Sequence, residues 1–177
     1  MTRLSAKALF DEGNNAFVLG KLIDAKEFYK KTIVSNSNFL EGHYNLGITY
    51  KKLGKFKKAE QKFKETIKIN SKFLNAYKNL CSVLQVQKKF DELEIYLKKF
   101  IMFNPKDAIL NYNLSLTQEN LNKLYEAKKS LEKSISLDPN FFQAYYNLGL
   151  ILKKLRKTEE SIEIFYKGLN ISPNFIP

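Results

Sequence analysis

Few residues of this chain could carry out chemistry on their own. Its only histidine is His43, its only cysteine is Cys81, and adjacent carboxylates occur at places such as Glu159 and Glu160. No second type of metal ligand is clustered with His43, and the sequence has no glycine-rich phosphate loop, no Cys-x-x-Cys and no Ser/His/Asp set. Glu159 and Glu160 fall in the first turn of a predicted helix, where negative charge favours the helix dipole. We therefore expect no catalysis, no metal and no cofactor.

The sequence repeats with a period of 34 residues, most clearly in the segments 41–47, 74–80, 110–114 and 143–149. The copies align without insertion or deletion as residues 6–39, 40–73, 74–107, 108–141 and 142–175. A period of this length indicates a solenoid, in which each copy buries its apolar face against the next. We expect one domain over residues 1–177, with a surface that binds rather than reacts.

Each copy reads as two amphipathic helices joined by a short turn. In the second copy, the segments 40–52 and 56–69 place apolar residues at helical spacing. Gly54 lies between them and can adopt the left-handed conformation that ends a helix. The dipeptides Asn104-Pro105, Asp138-Pro139 and Ser172-Pro173 predict the ends of later second helices, because proline disfavours helix in its predecessor.

The chain resembles the tetratricopeptide repeat (TPR) family. The second copy carries the family's pattern of large and small residues at His43, Leu46, Gly47, Tyr50, Ala59, Phe63, Thr66 and Ser71. The resemblance implies an all-α, right-handed superhelical solenoid of about ten antiparallel helices. It also implies that His43 is a packing residue and that Cys81 fills a small-residue position where helices cross, as a buried and inert thiol.

In this family the first helix of each repeat lines a concave groove, and its inward positions can be assigned here. The resemblance gives a peptide-binding face formed by Asn14, Tyr44, Asn45, Lys78, Asn79, Tyr112, Asn113, Tyr146 and Asn147. Asparagine offers a donor and an acceptor to a peptide backbone, and tyrosine offers stiff contact area with a polar tip. Asn45, Asn79, Asn113 and Asn147 occupy the same position of successive repeats. This asparagine column is similar to that of O-linked N-acetylglucosamine transferases, where it holds peptide substrate. The alternative is that the asparagines bond only within the solenoid.

The first repeat is also similar to that of co-chaperones that clamp the C-terminal carboxylate of heat-shock proteins. Asn14 and Asn45 match that clamp, but Phe10, Asn75 and Asn79 stand in place of its three cations. Without those cations the carboxylate loses its charge-assisted bonds. The clamp is therefore not the expected function.

The net charge is +12, and many cations cluster at the turn between the two helices of a repeat. This predicted basic edge consists of Lys51, Lys52, Lys55, Lys57, Lys58, Lys153, Lys154, Arg156 and Lys157. Such an edge could attract acidic protein, anionic membrane or nucleic acid. However, Arg3 and Arg156 are the only arginines. Proteins that recognise bases and phosphates rely on the paired hydrogen-bond donors of the arginine guanidinium group. Solvated helix ends explain most of the charge.

Composition indicates the cellular setting. The chain is 44% hydrophobic, has one cysteine, and has no apolar run long enough for a signal peptide or a membrane span. We expect a soluble, cytoplasmic protein.

The leading functional hypothesis is a non-catalytic module that binds a peptide or protein segment in the groove. Two alternatives remain open: the substrate-binding arm of a larger enzyme such as a glycosyltransferase, and an adaptor that binds anions or nucleic acid through the basic edge. The last repeat has apolar residues where a further repeat would pack, which predicts that this end is buried, either by self-association of two copies or by further polypeptide. These residues are Ile162, Phe165, Leu169, Ile171, Phe175 and Ile176.

Overall fold

A computed structural model describes residues 4–172 of the chain, and over this range the secondary structure is α-helical, without strands. The helices are α1 (Ala6–Val18), α2 (Leu22–Ser35), α3 (Leu40–Lys52), α4 (Phe56–Ile69), α5 (Leu74–Val86), α6 (Phe90–Phe103), α7 (Ala108–Asn120), α8 (Leu124–Leu137), α9 (Phe142–Lys154) and α10 (Thr158–Ile171). Helices α3 and α4 coincide with the two segments that the sequence predicted for the second repeat. Helices α6 and α8 end just before Asn104-Pro105 and Asp138-Pro139, as predicted, whereas Pro173 lies outside the described residues.

The helices form two compact units, an N-terminal unit that ends at Lys88 and a C-terminal unit that begins at Lys89. In the N-terminal unit, α1 to α5 pack in chain order, each against the next. Its core includes the fully buried Ala25, Ala59 and Phe63. In the C-terminal unit, α6 to α10 pack in the same sequential way. One of its apolar clusters consists of Ala127, Leu131, Ala144, Leu148, Ile151 and Leu152.

The turn between the two helices of every repeat contains one residue in the left-handed conformation. Gly54 has φ of 68°, as predicted, and Gly20 has φ of 73° at the same position of the first repeat. The corresponding residues of the other repeats are Lys88, Asn122 and Arg156, with φ of 55°, 57° and 61°. The turn geometry is therefore the same in all five repeats, although glycine occupies only two of the positions.

Close helix crossings explain three of the helical glycines, Gly13, Gly47 and Gly149. A Cβ atom on Gly47 would lie 2.7 Å from Cε1 of Phe63, and one on Gly149 would lie 2.5 Å from Cε1 of Phe165. Real side chains do not approach so closely, so an aromatic ring on the second helix requires glycine on the first. This crossing holds the two helices of a repeat together and orients the opposite side of the first helix.

Candidate functional site

Tyrosine rings anchor the first-helix face of each unit, which is the side of α1, α3 and α5 in the N-terminal unit, and of α7 and α9 in the C-terminal unit, on which the predicted peptide-binding residues lie. The Tyr44 ring lies 5.0 Å from the ring of Phe73 and 6.0 Å from that of Phe63, measured between centroids. In the C-terminal unit, the Tyr112 ring lies 4.9 Å from that of Phe141. Because these rings are packed on one side, each tyrosine is half-buried and its hydroxyl has a fixed place.

Each of these hydroxyls accepts a hydrogen bond from an asparagine of the following repeat. Nδ2 of Asn79 donates to the Tyr44 hydroxyl at 3.1 Å, and Nδ2 of Asn147 donates to the Tyr112 hydroxyl at 2.8 Å. The same Nδ2 atoms also donate to the backbone carbonyl four residues earlier, at 3.0 and 2.9 Å. Both amide hydrogens of Asn79 and Asn147 are therefore used within the protein, which is the alternative role that the sequence left open.

The tyrosine hydroxyls remain protonated at neutral pH. Burial raises the pKa of Tyr44 and of Tyr112, and the hydrogen bonds from Asn79 and Asn147 offset only part of that rise. Each hydroxyl accepts from its asparagine and keeps one hydrogen of its own to donate. Tyr44 and Tyr112 can thus present a donor on this face.

Asn14 in the first repeat contacts Asn45 in the second. Oδ1 of Asn14 accepts from the Tyr29 hydroxyl at 2.8 Å and from Nδ2 of Asn45 at 2.9 Å. Within residues 4–172, the Oδ1 atom of Asn45 and the whole amide of the exposed Asn113 make no hydrogen bond. Asn45 and Asn113 therefore have hydrogen-bonding capacity to spare for a ligand, as do Nδ2 of Asn14 and Oδ1 of Asn147, which also make no hydrogen bond within these residues.

The remaining residues of the predicted face differ in exposure. Lys78 is exposed, whereas Tyr146 is half-buried, with its ring 5.9 Å from that of Phe165. Phe10, the equivalent of Tyr44 in the first repeat, is buried against the ring of Phe39 at 5.1 Å and belongs to the core.

The structure places Lys51 with the first-helix face rather than with the lysines of the basic edge. Its Nζ donates to Oδ1 of Asn79 at 3.2 Å. Burial lowers the pKa of Lys51, and the nearby charge of Lys78 lowers it further. Lys51 is the twelfth residue of its repeat, one of the positions that point inward in the family. Its repeat position therefore predicted the first-helix face, but its neighbours in the sequence led to its assignment to the basic edge.

In the N-terminal unit, two lysines of the basic edge lie over aromatic rings. Nζ of Lys52 is 5.3 Å from the ring centre of Phe17, and Nζ of Lys58 is 5.9 Å from that of Tyr50. Both contacts are cation–π interactions of modest strength at an exposed surface. Lys55 and Lys57 are exposed and make no ion pair within residues 4–172.

In the C-terminal unit, two lysines of the basic edge have carboxylate partners. Nζ of Lys154 lies 2.6 Å from Glu119, and Nζ of Lys157 lies 2.5 Å from Glu160. Lys153 and Arg156 are exposed and make no ion pair in the part of the chain that the structure describes. Because its members pair differently, the edge does not behave as one uniform cationic strip.

His43 and Cys81 occupy buried positions, as the resemblance implied. Nε2 of His43 lies 2.8 Å from the carbonyl oxygen of Ser37, and Nδ1 lies 2.9 Å from the Glu65 carboxylate. Burial raises the pKa of the Cys81 thiol to about 12, so the thiol is protonated and a poor nucleophile. The described residues contain no group of three or more His, Cys, Asp or Glu side chains arranged to hold a metal ion.

Comparison with known sequences identifies the class that this architecture defines. Sequence models described as "Tetratricopeptide repeat" match residues 40–73, 108–141 and 130–163, which together make up about half of the chain. Two of these ranges have the bounds of the second and fourth predicted repeats. The protein is an all-α helical-repeat protein, and it belongs to the TPR family. No curated protein matches the sequence.

Solved structures of TPR proteins share the fold over nearly the whole chain. A crystal structure of MamA superposes with a TM-score of 0.83 at 24% identity, covering 97% of this chain and 98% of that one. MamA from Desulfovibrio magneticus RS-1 gives 0.78 at 21% identity, covering 97% of each chain. YrrB, described as a TPR protein with an unusual peptide-binding site, gives 0.81 at 21% identity, covering 96% of this chain and 88% of that one. These likenesses place the fold among TPR superhelices.

No helix in residues 4–172 is both long enough and apolar enough to cross a membrane.

Proposed function

We propose that this protein is a non-catalytic interaction module that binds an extended segment of another polypeptide on the first-helix face of each of its units. The observation that carries the proposal is the set of unused polar groups on that face: Oδ1 of Asn45, the amide of Asn113, and the hydroxyl hydrogens of Tyr44 and Tyr112. Donors and acceptors of this kind suit the carbonyl and N–H groups of a peptide backbone.

The rigidity of the face supports the proposal. The rings of Tyr44 and Tyr112 are held by aromatic neighbours, and their hydroxyls are held by the bonds from Asn79 and Asn147. A ligand therefore meets groups that are already ordered, which reduces the entropy lost on binding. YrrB, which has the same fold, is described as having a peptide-binding site, and this makes a peptide the natural class of ligand to test.

The proposal predicts that the open amides matter more than other asparagines. A displayed library of random linear dodecapeptides is selected on the wild-type protein, and selected peptides are titrated against the double variant Asn45→Ala/Asn113→Ala. Each change removes about one net hydrogen bond, so binding should weaken by about 1 to 3 kcal/mol in total.

The matched control is Asn170→Ala, which alters an exposed asparagine on α10, a second helix. It should bind the selected peptides as the wild type does. Thermal unfolding of all three proteins separates lost binding from lost fold. Equal affinity in the double variant, or failure of the library to yield any specific peptide, would contradict the proposal.

We also propose that the protein self-associates through α10. Ile162, Tyr166 and Leu169 lie at helical spacing on one face of this helix and are 52%, 66% and 43% exposed. Ile171 is half-buried, and Phe175 and Ile176, which the sequence assigned to the same surface, lie outside the described residues. Contiguous apolar surface of this kind usually marks an interaction site.

A further inference from the structure

Two lysines with no carboxylate partner stand together on the first-helix face of the N-terminal unit. The half-buried Lys51 on α3 is fixed by its hydrogen bond to Oδ1 of Asn79 on α5. Lys78 precedes Asn79 on α5 and lies close enough for its charge to lower the pKa of Lys51. Within residues 4–172, neither lysine has an Asp or Glu within ion-pair distance.

This arrangement is unfavourable in the absence of a ligand. Burial and a neighbouring like charge both oppose protonation of Lys51, and no anion of the described chain compensates. Other lysines of the same unit have such a partner: Lys26 lies 2.8 Å from Glu27, and Lys62 lies 2.6 Å from Glu65. An anion supplied from outside would relieve the repulsion between Lys51 and Lys78.

The C-terminal unit provides an internal comparison. Its Tyr112–Asn147 bond repeats the Tyr44–Asn79 bond, but Glu119 stands at the repeat position of Lys51, and Tyr146 at that of Lys78. Glu119 in turn pairs with Lys154 at 2.6 Å. The same backbone and Tyr–Asn arrangement is thus cationic and uncompensated in one unit but neutralised in the other.

We propose that Lys51 and Lys78, positioned by Asn79, form a subsite for one carboxylate of the bound polypeptide, supplied by an Asp or Glu side chain or by the C-terminus. The proposal rests on the proposed function and gives it a chemical preference. The hydrogen bond to Asn79 fixes the position of the Lys51 ammonium group, which donates to the carboxylate. The exposed Lys78, which precedes Asn79 on α5, donates to the same carboxylate. Asn79 is a positioning residue, since both hydrogens of its amide are already engaged.

The size of the charged region favours a single carboxylate over a polyanion. On the side of α1, the neighbouring face residues are Asn45 and Asn14, which are neutral, and Asp11, which pairs with Lys7 at 2.7 Å. A nucleic acid requires cations spaced along its phosphates. Towards α1, the cationic surface of the described N-terminal unit ends at Lys51 and Lys78, and the face becomes neutral.

A small probe tests the subsite without any peptide. Sodium acetate is titrated against the full chain and compared with sodium chloride at equal ionic strength, while NMR follows the side-chain amide signals of Asn79 and Asn147. Acetate should shift the Asn79 signals in a saturable way and leave those of Asn147 unchanged. The shift should disappear in Lys51→Gln/Lys78→Gln. Equal shifts at both asparagines, or a shift that survives in the variant, would overturn the subsite.

Peptide selection tests whether the subsite serves binding. Peptides selected on the wild type should carry Asp, Glu or a free C-terminus at one recurring position, and their binding should fall about three- to tenfold in Lys51→Gln/Lys78→Gln. The control Lys55→Gln/Lys57→Gln has the same change in net charge at exposed turn residues and should leave binding unchanged.

The two proposals fail in different ways. Selected peptides that lack an acidic position, and that bind the lysine variant normally, would overturn the subsite while leaving peptide binding intact. An acetate response without any selected peptide would uphold the carboxylate site and contradict the peptide-binding function. If a single-stranded oligothymidylate shifts the Asn79 signals more strongly than acetate does, the first-helix face binds nucleic acid and the proposal is wrong.

Discussion

At the scale of single residues, Glu94 shows how the solenoid tolerates a buried charge. Its carboxylate lies 2.6 Å from Nζ of Lys123 and 2.7 Å from Nζ of Lys98, and it accepts from Nε2 of Gln118 at 3.3 Å. Gln118 in turn accepts from the Ser130 hydroxyl at 2.7 Å. Burial alone would raise the pKa of Glu94, but the bonds from Lys123, Lys98 and Gln118 outweigh it and lower the pKa to about 2.

This pKa predicts how stability depends on pH. Glu94 titrates near 4.5 when unfolded and near 2 when folded, so its contribution to stability is fully present above pH 4.5. The contribution is lost as the pH falls towards 2, and it amounts to about 3 kcal/mol by linkage. Urea unfolding at several pH values should show that Glu94→Gln is destabilised at pH 7 and nearly matches the wild type near pH 2. The exposed Glu163→Gln is the control, and a constant gap between Glu94→Gln and the wild type over this range would refute the assignment.

The residue scale is also where sequence reasoning reached its limit. The periodicity placed Tyr44 and Asn79 on the expected face but could not show that they bond to each other, because the bond joins consecutive repeats. For the same reason the sequence could not predict the hydrogen bond of Lys51 to Asn79, which lies 28 residues away in the next repeat. Patterns within one helix predict which side a residue faces, whereas partners between repeats depend on how the helices stack.

At the scale of helices, the crossing within a repeat couples two positions in the sequence. Gly47 faces Phe63 in the second repeat, whereas the corresponding residues of the fourth repeat are Ser115 and Leu131. A larger residue on the first helix thus occurs with a smaller residue on the second. Ser115 also donates to the carbonyl of Tyr112 at 2.7 Å, so its hydroxyl needs no partner across the crossing.

The coupling can be tested by transferring one pair into another repeat. Gly47→Ser alone should destabilise the protein by about 1 to 3 kcal/mol, because its Cβ would collide with Phe63. Phe63→Leu alone should leave a cavity. Combined, the two changes should recover at least about 1 kcal/mol relative to the sum of their separate effects, as measured by denaturant unfolding. Strict additivity would mean that the crossing does not couple these positions.

Helix boundaries were well predicted where a local residue enforces them. Gly54 and the two described proline stops fix their positions through backbone geometry alone. The left-handed turns at Lys88 and Arg156 have no such residue. Those turns can be predicted only from their place in the 34-residue period, because the residue type at that position does not indicate a turn.

At the scale of the whole molecule, self-association is predicted to depend on the apolar face of α10. Sedimentation velocity over a concentration series should show association of the wild type and its loss in Ile162→Glu/Leu169→Glu, because burying those charges without partners is costly. Met102→Glu is the control, since Met102 is 79% exposed on another helix of the same unit. A wild type that stays monomeric at high concentration, or a control that dissociates equally, would contradict the prediction. The arrangement of the full chain as one domain likewise stays a prediction.

The hydrogen bonds from Asn79 to Tyr44 and from Asn147 to Tyr112 also have a mechanical consequence. Each joins the first helices of consecutive repeats, and both lie on the first-helix face. Bending that spreads these helices apart must break such a bond, whereas bending that brings them together leaves it intact. Each unit is therefore stiffer against opening than against closing. A ligand on that face therefore binds to helices that move together more easily than they move apart.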